Sequence, residues 1–148
     1  ARLVVRRLDP DGASFDRYNP TAHWKVDLKE NELVSRLQQR VSLKGVTGIE
    51  LEHNDHGRVL KMTIRDEHSH THVFTGMRIR AALGLKDNVF RFLIVGKGAQ
   101  RRWIFYGRGW GHGVGMDQTG AYGMALEGST FEQILKHYYT GIELTKVY

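Results

Sequence analysis

Five glycines at every second position, Gly107, Gly109, Gly111, Gly113 and Gly115, interleave Arg108, Trp110, His112, Val114 and Met116. Successive residues of an extended chain point to opposite faces. The spacing therefore predicts one bare face and one face carrying a guanidinium, an indole and an imidazole in a row. A bare face lets a second backbone or a flat ligand approach the main-chain N–H and C=O groups. The decorated face suits a sugar, with the aromatic plate stacked on C–H surfaces and polar groups on the hydroxyls. The competing reading is a tight turn packed against the following helix. Each glycine costs roughly 0.5–1 kcal/mol of chain entropy, and a turn alone does not require five in alternation.

Other chemistries fail on residue type. A phosphate loop ends in Gly-Lys-Ser/Thr, which is absent; a dinucleotide fingerprint needs a third glycine where His112, Val114, Met116 or Gln118 stand. A nucleophile elbow needs a serine between glycines, and the stretch has none. No cofactor is expected. Zero cysteines remove disulfides, thiolate zinc sites and a cysteine nucleophile together. His68, His70 and His72 would share one face of a strand and could hold zinc with an open position. Flanked by Asp66 and Glu67, they fit a solvated turn equally well, and no metal is assigned. Glu127, near a helix end where its charge opposes the macrodipole, reads as a surface residue.

The elements that must position the stretch are mostly strands. Ala22 to Leu28 alternates as a strand, and Asn31 is a plausible N-cap for a helix burying Leu33, Val34 and Leu37. Ile49 and Leu51 alternate with Glu50 and Glu52; after the turn residues Asn54 to Gly57, Leu60, Met62 and Ile64 alternate with Lys61, Thr63 and Arg65. That is a hairpin with one apolar face. Thr71 to Phe74 reads as a strand, Met77 to Leu83 as a helix stopped by Gly84. Phe90 to Val95 and Trp103 to Tyr106 are strand-length apolar runs around a polar turn. Asp117 is placed to cap a helix through Leu126, and Ser129 to Glu132 reads as a capping box for a helix to about Tyr139. A strand at Leu3 to Val5, a turn at Asp9 to Gly12 and a last strand near Leu144 to Val147 complete the pattern. The expected fold is α+β: a single mixed, mostly antiparallel β domain over residues 1–148 with three or four short helices.

Length and charge agree with one folded domain. The chain has 148 residues, 41% hydrophobic and 26% charged, with a formal net charge of +6, which favours acidic partners. Its basic residues are dispersed without a block of five or six, which argues against nucleic acid. No run reaches the roughly 20 apolar residues of a membrane span. With Ala1 first, any targeting segment or membrane anchor is expected outside this sequence.

The stretch from Gly107 to Ala125, with Gly128, Ile134-Leu135 and His137-Tyr138-Tyr139-Thr140-Gly141, closely resembles the end of the SpoIID/LytB (stage II sporulation protein D) family. Met77 to Gly84 resembles that family's Arg-containing segment, and the hairpin with Gly57-Arg58-Val59 is similar as well. The resemblance covers about Thr21 to Val147. It implies peptidoglycan chemistry outside the cytoplasm, in the bacterial envelope or wall space. Members include lytic transglycosylases that cleave glycan strands stripped of stem peptides, leaving 1,6-anhydro ends. Others are enhancers of an amidase, which implies an N-acetylmuramoyl-L-alanine amidase as a partner and a non-catalytic wall-binding role. The family's catalytic glutamate lies in a helical segment that has no match here and is expected before Ala1; its cysteine-containing metal site has no counterpart. The resemblance makes Arg80 and Arg108 candidates for muramyl carboxylates, and Trp110, His112, Asp117, Gln118 and Tyr138 candidates for the rest of the glycan site. For Asp117 the competing role is the helix cap, for His112 a ring bonded to a nearby carbonyl, and for Gln118 a solvated first turn.

Overall fold

The computed structural model describes residues 22–146; the strand expected at Leu3 to Val5 and its turn lie outside them. The elements run β1 (His23–Lys29), α1 (Glu30–Gln38), β2 (Gly48–His53), β3 (Val59–Arg65), β4 (Thr71–Thr75), α2 (Met77–Leu83), β5 (Phe90–Val95), β6 (Arg102–Arg108), α3 (Gln118–Leu126) and α4 (Phe131–Tyr138), with a 3-10 turn at Gly98–Gln100. The α+β class is as expected. Two compact units are present, one from His23 to His112 and one that includes Gly113 to Lys146.

The first unit holds two antiparallel three-stranded sheets, ordered β1-β6-β5 and β2-β3-β4. In the first sheet Leu28 lies opposite Trp103, Val26 opposite Phe105, and Trp24 opposite Gly107; on the other side Phe92 and Phe90 meet Phe105 and Gly107. Period-2 alternation thus gathers these rings on one face. They join Leu33 and Leu37 of α1, Met62 and Ile64 of β3, and Ile79 and Leu83 of α2 in one core. Past Phe92, the edge strand β5 carries Leu93, Ile94 and Val95 exposed, although the run reads as continuously apolar.

Local expectations change at β3 and at α1. The first concerns β3, where Leu60 is 52% exposed while Val59 is buried. A bulge explains it: Glu52 pairs with Lys61 and His53 with Val59, so Leu60 is the extra residue and the apolar face passes to Val59. The second concerns α1, which starts two residues early, with Lys29 at the N-cap and its amide donating to Glu32 Oε2 at 2.8 Å. Asn31 Oδ1 instead accepts the Glu32 amide at 3.0 Å. The α2 terminus is as expected, with Gly84 left-handed at φ +66°; Arg36 Nη1 donates to the Leu83 carbonyl there at 2.6 Å.

In the second unit Asp117 caps α3, accepting the Thr119 amide at 3.0 Å. The capping box of α4 lies one residue beyond its expected place. Thr130 Oγ1 accepts the Gln133 amide and Gln133 Oε1 accepts the Thr130 amide, in place of Ser129 and Glu132. Residues 142–146 form no strand, a correction to the expected last strand, whose Val147 lies outside the described residues.

The β3–β4 turn is built on Asp66, whose side chain is buried. Its Oδ1 accepts the amides of His68 and His70 at 2.9 and 2.8 Å, and its Oδ2 lies 3.2 Å from His72 Nε2 and 3.4 Å from His70 Nδ1. Of the three histidines only His72 belongs to β4, so they do not share a strand face. Among the described residues no group of three metal-ligating side chains is placed to hold an ion. Burial alone would raise the Asp66 pKa; the bonds from His72 and the two amides, with the His70 ring beside it, hold it down from 3.8 to about 2. A depressed folded-state pKa stabilises fully above the unfolded value, near 4, and the contribution is lost as pH falls through about 2. Asp66→Asn is therefore expected to lower the thermal midpoint at pH 7, with the gap to wild type closing between pH 4 and pH 2. A gap that does not vary with pH would rule out the ionised carboxylate as its source.

Candidate functional site

The glycine stretch enters from β6, and its first glycine is set by packing. A Cβ on Gly107 would stand 2.1 Å from Cζ2 of Trp24; without it the Trp24 indole lies across the backbone. From there Trp24 Nε1 donates to the Gly109 carbonyl at 2.8 Å. The strand ends at Arg108, whose amide donates to the Val89 carbonyl at 3.0 Å.

Beyond Arg108 the expected extended row is not formed. Gly109, Gly111, Gly113 and Gly115 have φ of +76°, +142°, +69° and +78°. These values are open to glycine and costly for residues with a Cβ. The alternation encodes repeated left-handed turns, so Arg108, Trp110, His112, Val114 and Met116 do not line one face of a strand.

Within the first unit, the turn is held by the loop between α2 and β5. Arg80 Nη1 donates to the carbonyls of Lys86 and Gly111 at 2.7 and 2.8 Å, and the Gly111 amide donates to the Lys86 carbonyl at 3.1 Å. The loop is itself fixed by two buried polar residues. Asp87 Oδ1 accepts the Asn88 and Val89 amides and pairs with Arg58 Nη1 at 3.0 Å. Asn88 accepts the Arg80 amide, donates to the Gly76 carbonyl and, through its own carbonyl, accepts the Val59 amide. On this clamped backbone Trp110 is 67% exposed, and Lys86 Nζ lies 5.0 Å from its ring centroid. His112 is exposed and Arg108 half-buried.

Arg80 is thus a positioning residue: one of its donors ties Lys86 to Gly111. A role as carboxylate ligand is left to its remaining N–H groups. Sequence reasoning missed Trp24, Arg58, Lys86, Asp87 and Asn88. The signal available was the polar triplet Lys86-Asp87-Asn88 set between Leu85 and Val89 just after the Gly84 stop.

In the second unit Asp117 and Gln118 open α3, both exposed, with the Asp117 carboxylate engaged as the cap. A Cβ on Gly120 would stand 2.2 Å from Tyr138 Oη, so that glycine admits the half-buried Tyr138 against α3. Tyr139 Oη accepts the Met116 amide at 3.3 Å.

One further carboxylate is tightly held in the first unit. Glu30 accepts Arg101 Nε and Nη2 at 2.6 and 2.5 Å, and Trp103 Nε1 at 2.6 Å. Burial alone would raise its pKa, but these bonds and the Arg101 charge bring it below the usual value. Glu30 therefore stays ionised.

A family model described as Domain of unknown function (DUF8618) matches residues 7–115. Over shorter segments the chain is similar to curated proteins, among them the following three. An uncharacterized protein of Brachyspira hyodysenteriae is 54% identical over 41 residues, 28% of this chain and 11% of that protein. Stage II sporulation protein D of Bacillus subtilis is 54% identical over 39 residues, 26% of this chain and 11% of that protein. An amidase enhancer of the same species is 46% identical over 44 residues, 30% and 6%. The likeness to stage II sporulation protein D thus covers about a quarter of the chain rather than the span from Thr21 to Val147, and about a tenth of that relative's length.

Gly107→Ala is expected to displace the Trp24 indole and destabilise the fold by about 1–3 kcal/mol, as overpacking does. Gly48→Ala, where a Cβ meets nothing within 4 Å, should stay within about 0.5 kcal/mol. Urea unfolding followed by tryptophan fluorescence compares the two; equal midpoints would refute the packing role of Gly107.

Proposed function

This chain belongs to the family described as Domain of unknown function (DUF8618), and we propose that it binds the glycan strands of bacterial peptidoglycan through the turn that carries Trp110. The observation that carries this reading is a large aromatic side chain, 67% exposed, on a backbone clamped by the Arg80 and Gly111 hydrogen bonds. Exposing an indole forgoes about 2 kcal/mol of burial, and the clamp holds it ready for a flat apolar face. Sugars present such faces. The names of two partial relatives, a stage II sporulation protein D and an amidase enhancer, support a role at the cell wall. The proposed location is the envelope or wall space. Among the described residues no helix is long and apolar enough to cross a membrane.

In the finer reading, the domain takes part in lytic transglycosylation of strands stripped of peptide. A carboxylic acid protonates the glycosidic oxygen, the muramyl C6 hydroxyl attacks the anomeric carbon and loses its proton, and a 1,6-anhydro end forms without water. Such an acid needs a raised pKa. Glu30 and Asp66 are shifted the other way, Asp87 pairs with Arg58, and Asp117 caps α3. Those groups support a strand-holding role, with the proton coming from another residue. The amidase-enhancer relative favours a second reading, in which the domain presents glycan to an N-acetylmuramoyl-L-alanine amidase without cutting it.

Trp110→Ala should weaken binding to purified glycan strands at least tenfold, about 1.4 kcal/mol, and His112→Ala should weaken it less; calorimetry measures both. Unchanged affinity in both variants would remove the turn from the site. Incubation with peptide-free strands, read by mass spectrometry, separates the finer readings. Anhydro ends support cleavage, and their absence alongside intact binding supports the accessory role.

A further inference from the structure

We propose that the outer face of the β1-β6-β5 sheet binds a flexible phosphodiester polymer, one with a negative charge at each repeat and no bases. This surface lies apart from the Trp110 turn, and the inference does not depend on glycan binding there.

Basic residues that lie dispersed in the sequence are collected here by the register of the ladder. Lys25 and Arg91 flank Tyr106 on its two sides, and further along β1 Lys29 stands opposite Arg102. All five are exposed. Asp27 is the only carboxylate in the three strands, and both its oxygens accept from Arg102, at 3.0 and 2.7 Å. The face is left with uncompensated positive charge.

The other sheet shows that alternation does not require this. There each cation of β3 has a carboxylate across the strands, Lys61 with Glu52 at 2.6 Å and Arg65 with Glu50 at 3.3 Å. Opposite charges paired across strands stabilise a sheet, and like charges directly opposed destabilise it. The Lys29–Arg102 pairing is of the second kind, and burial does not compensate it, since both side chains are exposed. A bound polyanion supplies the missing charge.

The residue types name the anion. Lysine meets phosphate as a point charge, and the arginine guanidinium meets it with parallel donors. They also exclude bases. Single-stranded nucleic acid is held by stacking successive bases on aromatic rings. Tyr106 is the only Phe, Tyr or Trp at the outward positions of this ladder, with Lys25 Nζ 5.8 Å from its centroid. Beside it stand the aliphatic Leu93 and Val95.

The test is calorimetry of the whole chain with poly(glycerol phosphate), beside polyglutamate and oligodeoxythymidylate of matched charge. Poly(glycerol phosphate) is expected to bind tightest. Three phosphate contacts imply about a tenfold loss of affinity between roughly 50 and 200 mM salt, by counterion release. The double variant Lys25→Gln/Arg91→Gln should lose about tenfold and show a flatter salt dependence. Lys61→Gln/Arg65→Gln, which removes the same charge from the other sheet, should lose less than about twofold. Lys25→Arg/Arg91→Lys keeps the charge and should keep the affinity, and circular dichroism checks that each variant folds. An equal loss in the two neutralised variants would trace binding to net charge and overturn the site. Tighter binding of the oligonucleotide or of polyglutamate, or no binding of poly(glycerol phosphate), overturns the ligand. None of these outcomes touches the glycan reading of the Trp110 turn.

Discussion

Where Gly107 lacks a side chain, the Trp24 indole occupies the space, and its Nε1–H reaches over two residues to the Gly109 carbonyl. This single contact couples a regular sheet to an irregular turn. On one side it completes the row of rings that β1, β5 and β6 direct into the core. On the other it fixes the first carbonyl after the strand, from which the chain turns left-handed. The Arg80 bonds to Lys86 and Gly111 then complete what Trp24 begins. Without an anchored Gly109, they would have to order a freely rotating glycine segment, at an entropic cost that two hydrogen bonds do not comfortably offset.

Much of this architecture was legible in the sequence, because period-2 and period-3.6 patterns survive wherever burial is one-sided. The β2–β3 hairpin, α2 with its Gly84 stop, and the Asp117 cap of α3 all follow from local rules. The misses have a common physical origin. Alternating glycines carry no side chains whose burial could report a face, so the extended and left-handed readings look identical on paper; only the backbone angles distinguish them. The bulge at Leu60 is hidden for a similar reason, since Val59 and Leu60 are both apolar and either could point inward. In α4 the adjacent Ser129 and Thr130, followed by Glu132 and Gln133, allow two capping boxes, and the structure uses the second.

The candidate site was legible in its exposed aromatic part and not in the residues that support it. Trp110 and His112 stand out between glycines, whereas Lys86, Asp87 and Asn88 look like any polar turn. Two of those three are buried, and buried polar side chains are explained by their partners rather than by their neighbours in sequence. Their partners outside the turn are Arg58 for Asp87, and Gly76 with Arg80 for Asn88. Arg80 illustrates the reverse case. A guanidinium in a suggestive motif reads as a ligand for acids, and here one of its donors holds two carbonyls together, a task that its planar, multi-donor head performs well.

The bulge at Leu60 bears on how this chain tolerates changes of length. Removing Thr63 would shift its neighbours by one and turn Met62 or Ile64 toward solvent. Leu60 alone has no cross-strand partner in the β2 register. Its loss would leave Val59 opposite His53 and Lys61 opposite Glu52, an unbroken ladder with the same inward face. The hairpin therefore carries one spare residue, and evolution or an engineer can delete there without resetting the sheet.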